Sequence, residues 1–142
     1  MTHRTIMMAI LCILLVTGCG TQALPHYSQS TVEAVDTDLI DYGIQVYRRN
    51  YCGSCHTLTL ASTRGTFGPN HDQEGTHATG IIASDSYLGE ADNASEYIRE
   101  SIVQPNAFYA PGYEATNHHM PSFAHLPDAD IDAIVYLLVN QK

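Results

Sequence analysis

Cys52-Gly53-Ser54-Cys55-His56 sets two thiols and an imidazole within five residues, a spacing that ties the fold to a metal, a redox pair or a prosthetic group. Three chemistries use a CxxC pair: a thioredoxin-type couple, half of a zinc site, and covalent haem attachment. The first follows a strand in a βαβ pattern, whereas the stretch before Cys52, from Asp36 to Asn50, has helical spacing. The second needs another ligand pair, and no third cysteine follows Cys55. A histidine directly after the second cysteine is what the third requires, since each thiol adds to one haem vinyl group while the imidazole reaches the iron. One covalently bound haem c is therefore the expected cofactor. Cys52 and Cys55 would attach it, and His56 would be an axial iron ligand.

The N-terminal residues account for the other cysteines. Arg4 supplies a positive n-region, Ile6 to Val16 an apolar h-region, and Val16-Thr17-Gly18-Cys19 resembles a lipobox. The apolar run is well short of the roughly twenty residues that cross a bilayer as a helix. Residues 1–18 are thus expected to be a lipoprotein signal peptide, with Cys19 the lipidated mature N-terminus. The alternative is an ordinary cleavage site with Cys19 as a small residue near it. Either way the chain is exported, and a lipidated one would be anchored to a bacterial membrane facing the periplasm or the exterior. Cys12 falls in the discarded segment, so no cysteine remains for a structural disulfide.

Beyond Cys19 five basic side chains face 15 acidic ones, a formal charge of −10. Such a balance repels nucleic acid and favours a redox partner with a basic docking patch. Residues 19–35 are small and polar, with Pro25, and read as a flexible tether. The folded domain is expected over 36–142, where a bound haem would help so short a chain build a core.

Asp36 or Asp38 can cap a first helix carrying Leu39, Ile40, Gly43, Ile44, Val46 and Tyr47. A second helix is expected from about Asn93 to Val103, ended by Pro105, and a third from Asp128 or Asp130 through Leu138. Leu58 to Tyr87, rich in Gly, Thr, Ser and His, reads as a long loop, and no run reads as a sheet. The expected class is all-α: three main helices whose long loops enclose one haem.

In this arrangement Asp36 to Lys142 resembles a class I c-type cytochrome. The resemblance implies that the first and last helices cross through a glycine–aromatic approach, with Gly43, Tyr47 and Tyr136 at the matching positions. It implies that Pro69, in Gly68-Pro69-Asn70-His71, offers its carbonyl to the second ring nitrogen of His56. Met120-Pro121-Ser122-Phe123 is similar to the family's distal-ligand loop, which makes Met120 the implied sixth ligand, with His118 and His119 as rivals. Tyr97 would support the haem near its propionates, and Arg64 is a candidate cation there. His26, His71, His77 and His125 are read as surface or hydrogen-bonding histidines.

The segment from Tyr97 to Phe108, with Pro111-Gly112-Tyr113, also resembles cytochrome domains of haem-copper oxidase subunits and of alternative complex III. What this implies is an electron carrier rather than an enzyme in its own right, passing single electrons in a respiratory or photosynthetic chain. Its partners would be redox proteins or subunits of a membrane complex. The alternative is a haem protein that binds or senses a small gas at an open distal site.

Overall fold

The computed structural model describes residues 34–142, so the expected signal peptide, Cys19, His26 and most of the tether lie outside the described residues. Asp36 opens the first helix. Its carboxylate accepts from the Asp38 and Leu39 amides at 3.0 and 3.1 Å, satisfying donors that a helix start leaves free. Helix α1 (Thr37–Arg49) buries Gly43, Val46 and Tyr47 and carries Arg48 and Arg49 in its last turn, where positive charge suits the helix dipole. A short 3₁₀ turn, Cys52–Ser54, follows directly, with Tyr51 before it in the left-handed region at φ 57°.

The stretch expected to be one long loop is more ordered than its composition implies. Strands β1 (Thr57–Leu58) and β2 (Thr63–Arg64) pair antiparallel, Thr57 with Arg64 and Leu58 with Thr63. The Thr63 hydroxyl accepts from the Leu58 amide at 3.0 Å and donates to the His56 carbonyl at 3.0 Å, so a side chain completes what two residues of backbone pairing cannot. Helix α2 (Glu74–Ile82) then forms without a side-chain cap. The domain is therefore helical with four helices and one two-stranded sheet, rather than three helices and no sheet.

Helix α3 (Ala94–Val103) is capped by Asn93, whose side chain accepts from the Glu96 amide at 3.1 Å. The Glu96 carboxylate reaches back to the Asp92 amide at 2.9 Å. Helix α4 (Asp128–Val139) follows Pro127 and has Asp128 and Asp130 in its first turn, where negative charge is favoured. Its inward face, Ile131, Ile134, Leu137 and Leu138, is almost wholly buried. Each such side chain contributes about 1.5–3 kcal/mol relative to exposure.

Helix α4 packs on α1 and α3, and α2 packs on both α3 and α4. At the α1–α4 crossing a Cβ on Gly43 would lie 2.8 Å from Leu137 Cβ and would collide with the Ala133 carbonyl oxygen. Only glycine allows that approach. The nearest atoms there belong to Ala133 and Leu137, and Tyr136 joins α4 to the start of α1, its hydroxyl accepting from the Asp36 amide at 2.8 Å. Asp130 adds a polar clasp to the same crossing by accepting from the Tyr42 hydroxyl and from Arg49 Nη2 at 2.5 Å. Among the described residues no helix is long and apolar enough to cross a membrane.

Candidate functional site

The motif, the segment after it, α3, the distal loop and α4 enclose one cavity of about 280 Å³. Cys52, Cys55, His56, Pro69, Tyr97, His118 and Met120 all line it. His119 and Arg64 do not. His119 is exposed near Tyr109, and Arg64 is exposed on β2. Neither Lys nor Arg is among the lining residues.

His56 is held by main chain on both sides. Gly68 N donates to the Cys55 carbonyl at 2.9 Å and His71 N to the Thr57 carbonyl at 2.8 Å, which folds residues 65–71 back over the motif. That fold brings the Pro69 carbonyl oxygen to 2.8 Å from His56 Nδ1. A carbonyl can only accept, so Nδ1 carries the proton and Nε2 keeps its lone pair. Burial lowers the His56 pKa, with the Pro69 carbonyl opposing, so the ring stays neutral at ordinary pH. No side chain or carbonyl of the described residues takes Nε2, which is free for a ligand in the cavity.

Gly68 is required for this geometry. A Cβ there would sit 2.8 Å from Nδ1 and 2.9 Å from Nε2 of the His56 ring. Cys52 and Cys55 are not disulfide-bonded, and burial pushes the Cys52 thiol up to about 11, so it rests protonated.

Met120 reaches the cavity from the opposite chain segment. It is half-buried and packs on the core. Its loop is fastened to the end of α3, where Ser122 Oγ donates to the Val103 carbonyl at 2.7 Å and Phe123 N to the Ile102 carbonyl at 3.0 Å. Tyr113 ties the intervening segment to the His56 side of the cavity by donating to the Gly68 carbonyl at 3.0 Å. His118 lines the cavity near its mouth, exposed, with its ring 4.2 Å from that of exposed Phe67. Tyr97 is buried, and burial first and then the nearby Glu74 charge push its hydroxyl up to about 12.

Two further lining residues, which the sequence does not place in the site, shape its electrostatics. The His71 ring stacks on His56, with centroids 4.0 Å apart and planes at 16°, and its Nδ1 lies 3.2 Å from the Tyr47 hydroxyl. Burial, then the neighbouring His56, holds its pKa well below the usual imidazole value, so of the two readings, surface or hydrogen-bonding, it is the second, as a neutral wall of the cavity. Its position two residues after Pro69 was the available signal. Glu74, the other, is buried at the start of α2 and lines the same cavity.

Among the described residues no three His, Cys, Asp or Glu side chains converge as the ligand set that a structural zinc site requires. Two thiols, one imidazole with a free nitrogen and one thioether around a mainly apolar space are instead a donor set that suits haem c. No family model matches this chain, and no curated protein matches it.

Proposed function

We propose that this chain is a lipid-anchored monohaem c-type cytochrome that carries single electrons, as a subunit or close associate of a membrane redox complex. The observation that carries the reading is the convergence of Cys52, Cys55, His56, Pro69 and Met120 on one cavity, with the His56 tautomer fixed by the Pro69 carbonyl. When bound, haem would supply a one-electron couple at its iron.

The chain's own groups do the rest. Cys52 and Cys55 would hold the porphyrin through thioethers, which prevents loss of the cofactor. His56 presents Nε2, and the hydrogen bond at Nδ1 both orients the ring and raises its basicity. Met120 would offer its thioether sulfur to the iron from another wall of the cavity, and two protein ligands held by the fold would limit rearrangement on a change of charge. Ile98, Ile102, Phe108, Ile134 and Leu138 give the cavity apolar walls that would shield a bound porphyrin from water.

Export, lipidation at Cys19 and an acidic exterior fit a carrier kept at a membrane and steered towards a basic partner surface. The test is to express the full chain in a host that attaches haem c and to measure the intact mass and the pyridine haemochrome spectrum. One haem per chain, lost in a Cys52→Ala, Cys55→Ala double variant, is expected. A folded, exported chain with no added haem mass would overturn the reading.

A further inference from the structure

Glu74 is the one buried acid among the described residues whose carboxylate has no hydrogen bond and no ion pair, Asp130 being clasped by Tyr42 and Arg49. It lies where two cavities meet. One is the space around His56. The other, about 540 Å³, is lined by residues of α2 and the turn after it, among them exposed His77, Ser84 and Ser86, and by the Ala110–Pro111 segment. Glu74 borders both.

We propose that Glu74 is a redox-linked proton site, which takes a proton from solvent through the second cavity when the centre in the first gains an electron and returns it when the electron leaves. This rests on the haem reading above. The balance is one electron from a one-electron donor protein to the iron, and one proton from water to the Glu74 carboxylate. On oxidation the electron passes to an acceptor protein and the proton returns to water.

Geometry gives Glu74 what such a site needs. Glu74 lines the cavity that a porphyrin would fill, so the charge at the iron and the charge on Glu74 would act on each other across a mainly apolar space. The second cavity keeps the carboxyl in exchange with solvent. Burial alone, with no partner opposing it, pushes the Glu74 pKa up to about 7, so small changes of field move its proton in the physiological range.

The groups that face it cannot replace it. Tyr97 from α3 and Tyr47 from α1 are raised far above neutrality, first by burial, and His71 is held neutral. Helix α4 contributes only Ile134 and Leu138 to the cavity, and His77 lies exposed in the other one. The sign follows from charge. Ferric iron carries one more positive charge than ferrous, so oxidation favours the carboxylate and reduction favours the acid.

The test is a redox titration of the haem-loaded full chain between pH 5.5 and 8.5, for wild type and Glu74→Gln, after the haemochrome spectrum has shown that each is loaded. In wild type the ferric-to-ferrous equilibrium is expected to shift towards ferric up to tenfold per pH unit near neutrality, 59 mV for one electron. In Glu74→Gln that dependence should be lost. A flat wild-type profile, or a slope unchanged in the variant, overturns the proposal while leaving the haem reading intact; a chain without haem overturns both. If the variant does not load haem, redox-difference infrared spectra of wild type labelled with ¹³C-glutamate decide the matter. Reduction must produce a label-shifted band of protonated carboxyl, and its absence refutes the assignment.

Discussion

Gly43→Ala isolates the helix crossing on which the site is built. In an exposed helix the change from glycine to alanine stabilises by about 1 kcal/mol, because alanine has less backbone freedom to lose. At Gly43 the new Cβ would stand 2.8 Å from Leu137 Cβ and collide with the Ala133 carbonyl oxygen. Leu137 is fully buried, and the Ala133 oxygen is main chain held within α4, so neither can turn aside. The helices must separate instead. Overpacking of this kind costs about 1–3 kcal/mol, and a backbone obstacle places the cost at the upper end. Subtracting the helix gain leaves a net loss of about 2 kcal/mol. For a domain of roughly 100 residues this lowers Tm by about 8–16 °C. Gly80→Ala in α2 is the control, since nothing lies within 4 Å of its Cβ position, and it should gain about 1 kcal/mol. Equilibrium unfolding of both variants, prepared with the same haem content, measures the contrast. A Gly43→Ala protein as stable as wild type or as Gly80→Ala would refute the close crossing.

Gly68→Ala puts a Cβ against the His56 ring at 2.8 Å from Nδ1, so it should displace the imidazole from the Pro69 carbonyl and change the haem absorption spectrum; an unaltered spectrum at full loading would contradict the placement. Met120→Ala should abolish the weak sulfur-to-iron absorption band, lower the potential and let carbon monoxide bind the reduced protein. Survival of that band would remove Met120 as a ligand, and the same measurements on His118→Ala would test the nearest rival. Glu74 gives a pH dependence of stability whose sign is the reverse of a salt-bridged acid. Its folded pKa of about 7 exceeds the ordinary 4.5, so the folded state binds more protons between those values. The Glu74 contribution to stability is therefore highest at and below about pH 4.5, falls up to about pH 7 and is level above it, with a total on the order of 3 kcal/mol. Urea unfolding across that range should show this fall in the difference between wild type and Glu74→Gln, and parallel profiles would refute the burial argument.

Helices α1 and α3 are legible in the sequence because their signals are local. Asp36 and Asn93 cap their own backbone, and the apolar positions after them recur at helical spacing. Helix α4 is legible from its apolar run and its first-turn acids. Helix α2 is not, because Glu74 to Ile82 holds two glycines and two threonines and has no side-chain cap. It is fixed from outside the segment. Gly75 N donates to the Gln141 carbonyl at 2.9 Å, and Gly75 and Ala78 bury against a core supplied by distant residues. The hairpin escapes notice for a similar reason, since two residues per strand carry no alternation and depend on Thr63 and Asp72 to tie the turn. At the site, the motif and its spacing reveal Cys52, Cys55 and His56, whereas His71 and Glu74 acquire their character only from burial that folding imposes.

The two expected axial ligands are anchored to different parts of the fold, and this bears on which one yields first. His56 sits in a web of main-chain bonds that closes within residues 52–71, supported by the hairpin and by the Thr59–Asp72 contacts at 2.6 and 2.9 Å. Met120 depends on a segment of turns and bends, fastened at the end of α3 by the Ser122 and Phe123 bonds and linked to the proximal side through Tyr113. Segments with few internal bonds open at lower free energy than those with many. The distal loop can therefore detach from the end of α3 while the proximal web and the α1–α4 crossing stay closed. With haem bound as proposed, such an opening would free a coordination position without releasing the porphyrin, because Cys52 and Cys55 both lie in the segment that stays closed. If the chain carries haem as proposed, fixed ligation would thus depend on the bonds that join the Met120 loop to α3 more than on the motif itself.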